Sequence, residues 1–245
     1  MNFVLFGATK GMGRALARLL AERGERLFLV EHCIDELEAS ARDLETRGAQ
    51  LPVRTAHCDL LAPATFAPAL EQAERELRQI DAVIVTAGLF ATQDKLESDP
   101  ELTARILTAD FTNTVLFCEE ARKRLLARGG GTLCVFSSVA GDRGRKPVIL
   151  YGAAKAGLSR YLEGLDHKFR RQGLKTICVK PGFVKTGMTA GLKPPPFAGT
   201  AEDVAQRVLR AIDRGWPEVY VPAMWRWVMS VIRRLPRGVM RRIGF

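Results

Sequence analysis

Short apolar runs alternate with longer helical patterns along most of the chain, and this alternation restricts the fold more than any other feature. Residues 3–6 read as a buried strand. A glycine-rich turn follows, then residues 14–23 with Ala15, Leu16, Leu19 and Leu20 at helical spacing. Gly24 ends that helix. Residues 27–30, 53–58, 82–85, 132–136, 176–179 and 219–221 read as further strands. Residues 34–47, 64–78, 100–127, 150–171 and 202–212 read as the helices between them, and Gly129-Gly130-Gly131 stops the long third one. Strands and helices in this order predict an α/β fold, a doubly wound parallel sheet with helices on both faces. No repeat or low-complexity tract interrupts it. One domain is expected over residues 1–222, with an extension over 223–245.

That extension holds much of the excess charge. The 245 residues carry a formal net charge of +10. From Val219 to Phe245 there is no Asp or Glu, but there are Arg226, Arg233, Arg234, Arg237, Arg241 and Arg242. On a helix, Arg226, Ser230, Arg233, Arg234, Arg237 and Arg241 form a stripe, and Met224, Trp225, Trp227, Val228, Val231, Ile232 and Leu235 cover the rest. A basic stripe beside a Trp-rich apolar face suits a helix lying in an anionic membrane surface. It equally suits a helix that covers the core or a second subunit, and Pro236 either kinks it or ends it. The large apolar face argues against nucleic acid. The five Cys are scattered without a C-x-x-C pair, which favours reduced thiols over disulfides or a zinc site and leaves no metal site expected. The N-terminus runs straight into the first strand without a charged leader, and no apolar run reaches the roughly 18 residues of a membrane span.

Two local patterns carry chemistry. The turn Gly7-Ala8-Thr9-Lys10-Gly11-Met12-Gly13 lies between a strand and a helix. Glycines there let the backbone approach a pyrophosphate, and the helix N-terminus offers N–H groups and positive potential. Further on, Tyr151 and Lys155 are one helical turn apart. An ammonium beside a phenol favours the phenolate, so the Tyr151 pKa is expected to fall from its usual value of about 10 and suit proton transfer near neutral pH.

The glycine pattern, the Ser138 segment, Tyr151-x-x-x-Lys155 and Pro181-Gly182 together resemble the short-chain dehydrogenase/reductase family, with agreeing spacing across residues 1–222. The resemblance implies a Rossmann-type fold, a nicotinamide cofactor and carbonyl/alcohol chemistry. It implies that Tyr151 is the general acid/base and that Lys155 tunes it and holds the ribose. Ser138, rather than Ser137, is implied as the hydroxyl that binds the substrate oxygen. Gly7, Thr9, Lys10, Gly11, Met12 and Gly13 would cradle the dinucleotide. Asp59, with Leu60 beside it, would meet the adenine; capping the next helix is an equally good and compatible role for Asp59. Ala87-Gly88 ends a motif whose two usual Asn are replaced here by Val85 and Thr86. Pro181, Gly182, Val184 and Thr186 belong to the loop that meets the nicotinamide, with Val184 and Thr186 facing its carboxamide. Asp110 stands where the family has an Asn that holds a relay water. As a carboxylate it can hold a water or pair with Lys155; alternatively Asp110 and Asn113 are helix-surface residues.

Glu31 at the end of the second strand suits the ribose hydroxyls of NAD and repels a 2′-phosphate, while His32 and Lys10 leave NADP open. The balance favours NAD. Segments 139–145, 151–156 and 180–190 are similar to a bacterial subgroup that includes reductases of decaprenylphosphoryl-2-keto-pentose. The expectation is thus an NAD(P)-dependent oxidoreductase for a ketone or secondary alcohol that is hydrophobic or membrane-presented, with a non-catalytic dinucleotide-binding sensor or scaffold as the alternative. It is expected to be cytoplasmic, peripheral on the inner membrane face if the tail binds lipid, and a homodimer or homotetramer by family habit. The loop over 187–200 is expected to cover the substrate.

Overall fold

The computed structural model describes residues 1–195 and 197–243. Among these, seven strands form one sheet: β1 (Asn2–Phe6), β2 (Arg26–Glu31), β3 (Gln50–His57), β4 (Ala82–Val85), β5 (Gly131–Phe136), β6 (Leu174–Pro181) and β7 (Glu218–Val221). Their order is β3-β2-β1-β4-β5-β6-β7, and every neighbouring pair is parallel. The helices are α1 (Gly11–Glu22), α2 (Ile34–Thr46), α3 (Phe66–Leu77), α4 (Gln93–Ser98), α5 (Pro100–Leu107), α6 (Thr114–Ala127), α7 (Ile149–Phe169), α8 (Ala201–Arg214), α9 (Trp225–Arg234) and α10 (Arg237–Arg242).

The inner strands β1, β4 and β5 are mostly apolar because helices cover both faces. Alternate side chains of β1 divide between two cores. Phe3 and Leu5 join the core under α1, α2 and α8, and Val4 and Phe6 join the core under α3, α6 and α7. The chain order reverses beside β1, which has β2 on one side and β4 on the other. In such sheets a crevice opens at the C-terminal ends of the strands at this switch point.

The helix expected over 100–127 is divided. Asp99 caps α5 by accepting a hydrogen bond from the Leu102 N–H at 2.9 Å, and Pro100 occupies its first position. A wider π-helical turn, Thr108–Asn113, then separates α5 from α6. Such turns occur often at functional sites. This one brings both Asp110 and Asn113 inward. The short α4, just before α5, was not in the sequence pattern.

At the C-terminus, Leu235 and Pro236 end α9 and α10 begins afresh. Trp225, Met229 and Ile232 pack with Val139 and Tyr220, so α9 covers part of the domain. The apolar face expected to be continuous is therefore split between this buried arc and exposed Met224, Trp227 and Val231. Residues 244–245 of the expected extension lie outside the described residues, as does Pro196 of the 187–200 loop. No helix among the described residues is long and apolar enough to cross a membrane.

Candidate active site

The glycine turn between β1 and α1 is fixed by close approach. A Cβ on Gly13 would lie 2.0 Å from the Gly7 carbonyl oxygen, and one on Gly7, whose φ is +95°, would lie 2.5 Å from the Ala87 nitrogen. Thr86 Oγ1 donates to the Gly7 carbonyl at 2.7 Å, which pins the turn to the end of β4. This is the work of a residue that replaces an Asn in the family pattern. No side chain caps the start of α1, so its first N–H groups remain available to an anion.

A cleft of about 370 Å³ opens here. It brings Gly7, Thr9, Lys10, Gly11, Met12 and Gly13 together with Glu31, His32, Asp59, Leu60, Ala87, Gly88 and Thr186. Glu31 is nearly buried; its carboxylate accepts from the His32 N–H at 3.1 Å and lies 2.7 Å from His32 Nδ1. Lys10 turns outward and pairs with Glu36 at 2.5 Å, not with Glu31. Asp59 accepts from the Leu61 N–H at 2.8 Å, a local turn bond rather than a helix cap. Arg105 also lines the cleft, and nothing in the sequence pattern had marked it. The Val184 side chain is 3% exposed and packs with the core. Open N–H groups on α1, glycines that admit no Cβ and an acidic strand end fit a dinucleotide. The turn residues would take its pyrophosphate and Glu31 its adenosine ribose.

Tyr151 and Lys155 project from the first turns of α7. Val148 precedes that helix at the capping position and has no side chain able to cap it. Gln93, 8% exposed, does so from α4: its Oε1 accepts from the Ile149 N–H at 2.8 Å and the Leu150 N–H at 3.2 Å. Phe90 meets the Tyr151 ring edge-on, with centroids 5.2 Å apart. Lys155, 4% exposed, places Nζ 3.2 Å from Asp110 Oδ2 and 5.5 Å from the centre of the Tyr151 ring. The other Asp110 oxygen accepts from the Leu89 N–H at 2.7 Å. Asp110 is 0% exposed, which excludes the helix-surface alternative. Asn113 is also internal, and its Nδ2 donates to the Leu60 carbonyl at 2.6 Å beside Asp59.

The electrostatics correct the expectation for Tyr151. Burial pushes its hydroxyl above the usual phenol range; Lys155 acts the other way, Asp110 adds to the rise, and a hydrogen bond with Ser138 opposes it. Lys155 is an imperfect counterweight because Asp110 already shares its charge. Burial disfavours the Lys155 ammonium, but Asp110 and Tyr151 outweigh it and hold the pKa above the ordinary lysine value.

Ser137 and Ser138 separate clearly. The Ser137 hydroxyl donates to the Lys155 carbonyl at 2.9 Å and lies 2.7 Å from Ser159 Oγ, so it fastens β5 to α7. Ser138 is half-buried, and its Oγ accepts from the Ala140 N–H at 3.1 Å. The loop after Ser138 is held by Asp142, which takes Lys180 Nζ at 2.9 Å and the Tyr220 hydroxyl at 2.8 Å. Two hydroxyls and a buried ammonium thus converge where a carbonyl oxygen could gain negative charge. Among the described residues, no group of His, Cys, Asp and Glu is arranged to hold a metal ion.

This fold and site define a dinucleotide-dependent oxidoreductase. The chain belongs to the short chain dehydrogenase family, whose model matches residues 2–196. It is 33% identical over 240 residues to an uncharacterized oxidoreductase of Mycobacterium tuberculosis, covering 98% of this chain and 96% of that protein. It is 34% identical over 251 residues to an uncharacterized oxidoreductase of Streptomyces coelicolor, covering 99% and 95%. Among solved structures, levodione reductase superposes with a TM-score of 0.81 at 23% identity, covering 91% of this chain and 96% of that one.

Proposed function

We propose that this enzyme transfers a hydride between NAD and a ketone or secondary alcohol that is hydrophobic or presented at a membrane. The observation that carries this reading is the convergence of the Tyr151 and Ser138 hydroxyls with the charged Lys155 beside the dinucleotide cleft. The dinucleotide would supply or accept the hydride. Ser138 would hold the carbonyl oxygen, and Tyr151 would give it a proton as charge develops there. Lys155 would favour proton release from Tyr151 and hold the ribose, with Asp110 keeping its ammonium charged. Pro181, Gly182 and Thr186 would border the nicotinamide end. The likeness of segments 139–145 and 180–190 to reductases of polyprenyl-phosphate keto sugars supports a lipid-linked keto sugar as one member of the substrate class. A homodimer or homotetramer, working in the cytoplasm or at its membrane face, completes the proposal.

The test is a panel of aliphatic, cyclic and sugar-derived ketones, each supplied with NADH or NADPH and followed by nicotinamide absorbance. Turnover of at least one ketone is expected; no turnover with any, despite nucleotide binding, would defeat the reading.

The choice of NAD rests on Glu31, whose carboxylate would meet a 2′-phosphate with like charge, and on Glu36, which draws Lys10 away. Glu31→Ser is expected to raise kcat/KM for NADPH relative to NADH by roughly tenfold, since it removes a like-charge contact. An unchanged ratio, or a wild-type enzyme that already prefers NADPH, would count against this assignment.

A further inference from the structure

The C-terminal segment has a second apolar face that the domain leaves uncovered. On α9, one arc is spent on the core through Trp225, Met229 and Ile232. Met224, Trp227 and Val231 share another, at spacings of three and four residues, and all three are exposed. Trp227 is 75% exposed. A large aromatic side chain left in water at the centre of an apolar strip marks an interaction surface.

The charges around the strip indicate what it meets. Arg234, one helical turn from Val231 and two from Trp227, is exposed, as are Arg237, Arg241 and Arg242 on α10. Lys146 joins them, its Nζ donating to the Arg241 carbonyl at 2.9 Å. No acidic residue occurs from Val219 to the end of the chain. A second copy placed on this face would set these cations against their own kind. An anionic surface with an apolar interior satisfies both parts at once.

The face is also fixed to the substrate side of the enzyme. The α9 helix follows β7 at the C-terminal edge of the sheet, the edge where the cleft opens. Its Trp225 indole lies so close to Gly182 that a Cβ there would fall 1.9 Å from Nε1. The same ring meets Phe197 of the 187–200 loop edge-on at 5.2 Å. Arg143, in the loop after Ser138, donates to the Leu235 carbonyl at 2.8 Å. Packing and a hydrogen bond therefore tie the helix to these loops.

We propose that Met224, Trp227 and Val231, bordered by Arg234, Arg237, Arg241 and Arg242, dock the enzyme on an anionic lipid bilayer and set the active-site edge of the sheet against it. The docking itself stands apart from the catalytic reading; only its use, delivery of an apolar substrate, rests on that reading. The full chain is sedimented with vesicles of phosphatidylcholine alone or with added phosphatidylglycerol, at low and high salt. Wild type is expected to bind the anionic vesicles, more weakly at high salt, and to leave the neutral ones. The surface variant W227S/V231S is expected to lose about tenfold or more in partitioning, since the inserted apolar area is what holds an interfacial helix. Its melting temperature and its rate on a soluble ketone stay at wild-type values. Wild type that ignores anionic vesicles at low salt, or a W227S/V231S variant that binds as well as wild type, overturns the proposal. So does a variant whose sedimentation velocity shows a smaller oligomer, because the face would then be a subunit contact. A protein that binds vesicles but turns over no carbonyl keeps the docking and loses the catalytic reading; the reverse pattern does the opposite.

Discussion

Tyr151→Phe is expected to lower kcat/KM for ketone reduction by about a thousandfold, within the range of roughly 10²–10⁴ that a positioned proton donor supplies. The substitution isolates one atom. Phenylalanine keeps the ring that meets Phe90 edge-on, so the packing between the segment after β4 and the start of α7 is preserved. Gln93 still caps that helix, and the Lys155–Asp110 pair does not depend on the phenol oxygen. Nucleotide affinity should therefore stay close to wild type while turnover collapses. Alanine would be a poorer probe, because it opens a cavity against Phe90 and confuses folding with chemistry. The measurement is steady-state turnover alongside nucleotide binding by fluorescence. A loss in turnover smaller than about tenfold would show that the proton comes from another group, with Ser138 the first to examine.

The residues that reveal the fold in the sequence are those whose partners are close along the chain. Residues 82–85 form a strand whose two ends match their sequence pattern, because a short apolar run between polar residues has no other use in such a protein. The glycine turn was equally legible, since its spacing follows from the approach of Gly13 to Gly7, six residues away. What escaped was set by distant contacts. The π turn at Thr108–Asn113 continues an ordinary helical composition; its width goes with inward contacts from Asp110 to Lys155 and from Asn113 to Leu60. Gln93 looks like a surface glutamine until the fold brings it to a helix start 56 residues later. Val184 lies within a recognisable loop motif, but only packing shows its side chain turned into the core. The two apolar arcs of α9 adjoin each other on the helix, so periodicity alone reads them as one face. The Tyr151 pKa departs from expectation for a related reason: the spacing to Lys155 and the Asp110 carboxylate are visible in the sequence, but the burial that pushes the phenol up is not.

Asp110→Asn should change stability and pH dependence together, and the two effects have a common origin. The wild-type carboxylate is wholly buried and faces an ammonium that is almost as deeply buried. Removing one member of such a pair leaves an uncompensated charge, at a cost of roughly 3–5 kcal/mol. Asparagine retains an oxygen for the Leu89 N–H, which puts the expected loss toward the lower end, near ~3 kcal/mol. The Lys155 pKa is raised in the folded protein, so its stabilising contribution is fully present below the unfolded lysine value of about 10.4 and fades as pH rises through the folded value. The difference between wild type and variant is therefore expected to be full at neutral pH and to shrink in strongly alkaline buffer. The catalytic effect has the opposite sense to a simple loss of function. Asp110 raises the Tyr151 pKa, so over the pH range in which Lys155 keeps its proton without Asp110, the neutralisation leaves Lys155 less opposed and the phenolate easier to form. Alcohol oxidation, which needs the phenolate as base, should then reach its plateau at lower pH in Asp110→Asn than in wild type. Urea denaturation at neutral and alkaline pH measures the first effect, and the pH profile of kcat/KM for oxidation measures the second. A profile that does not move, with stability unchanged to within about 1 kcal/mol, would mean that the pair contributes neither charge balance nor tuning to this site.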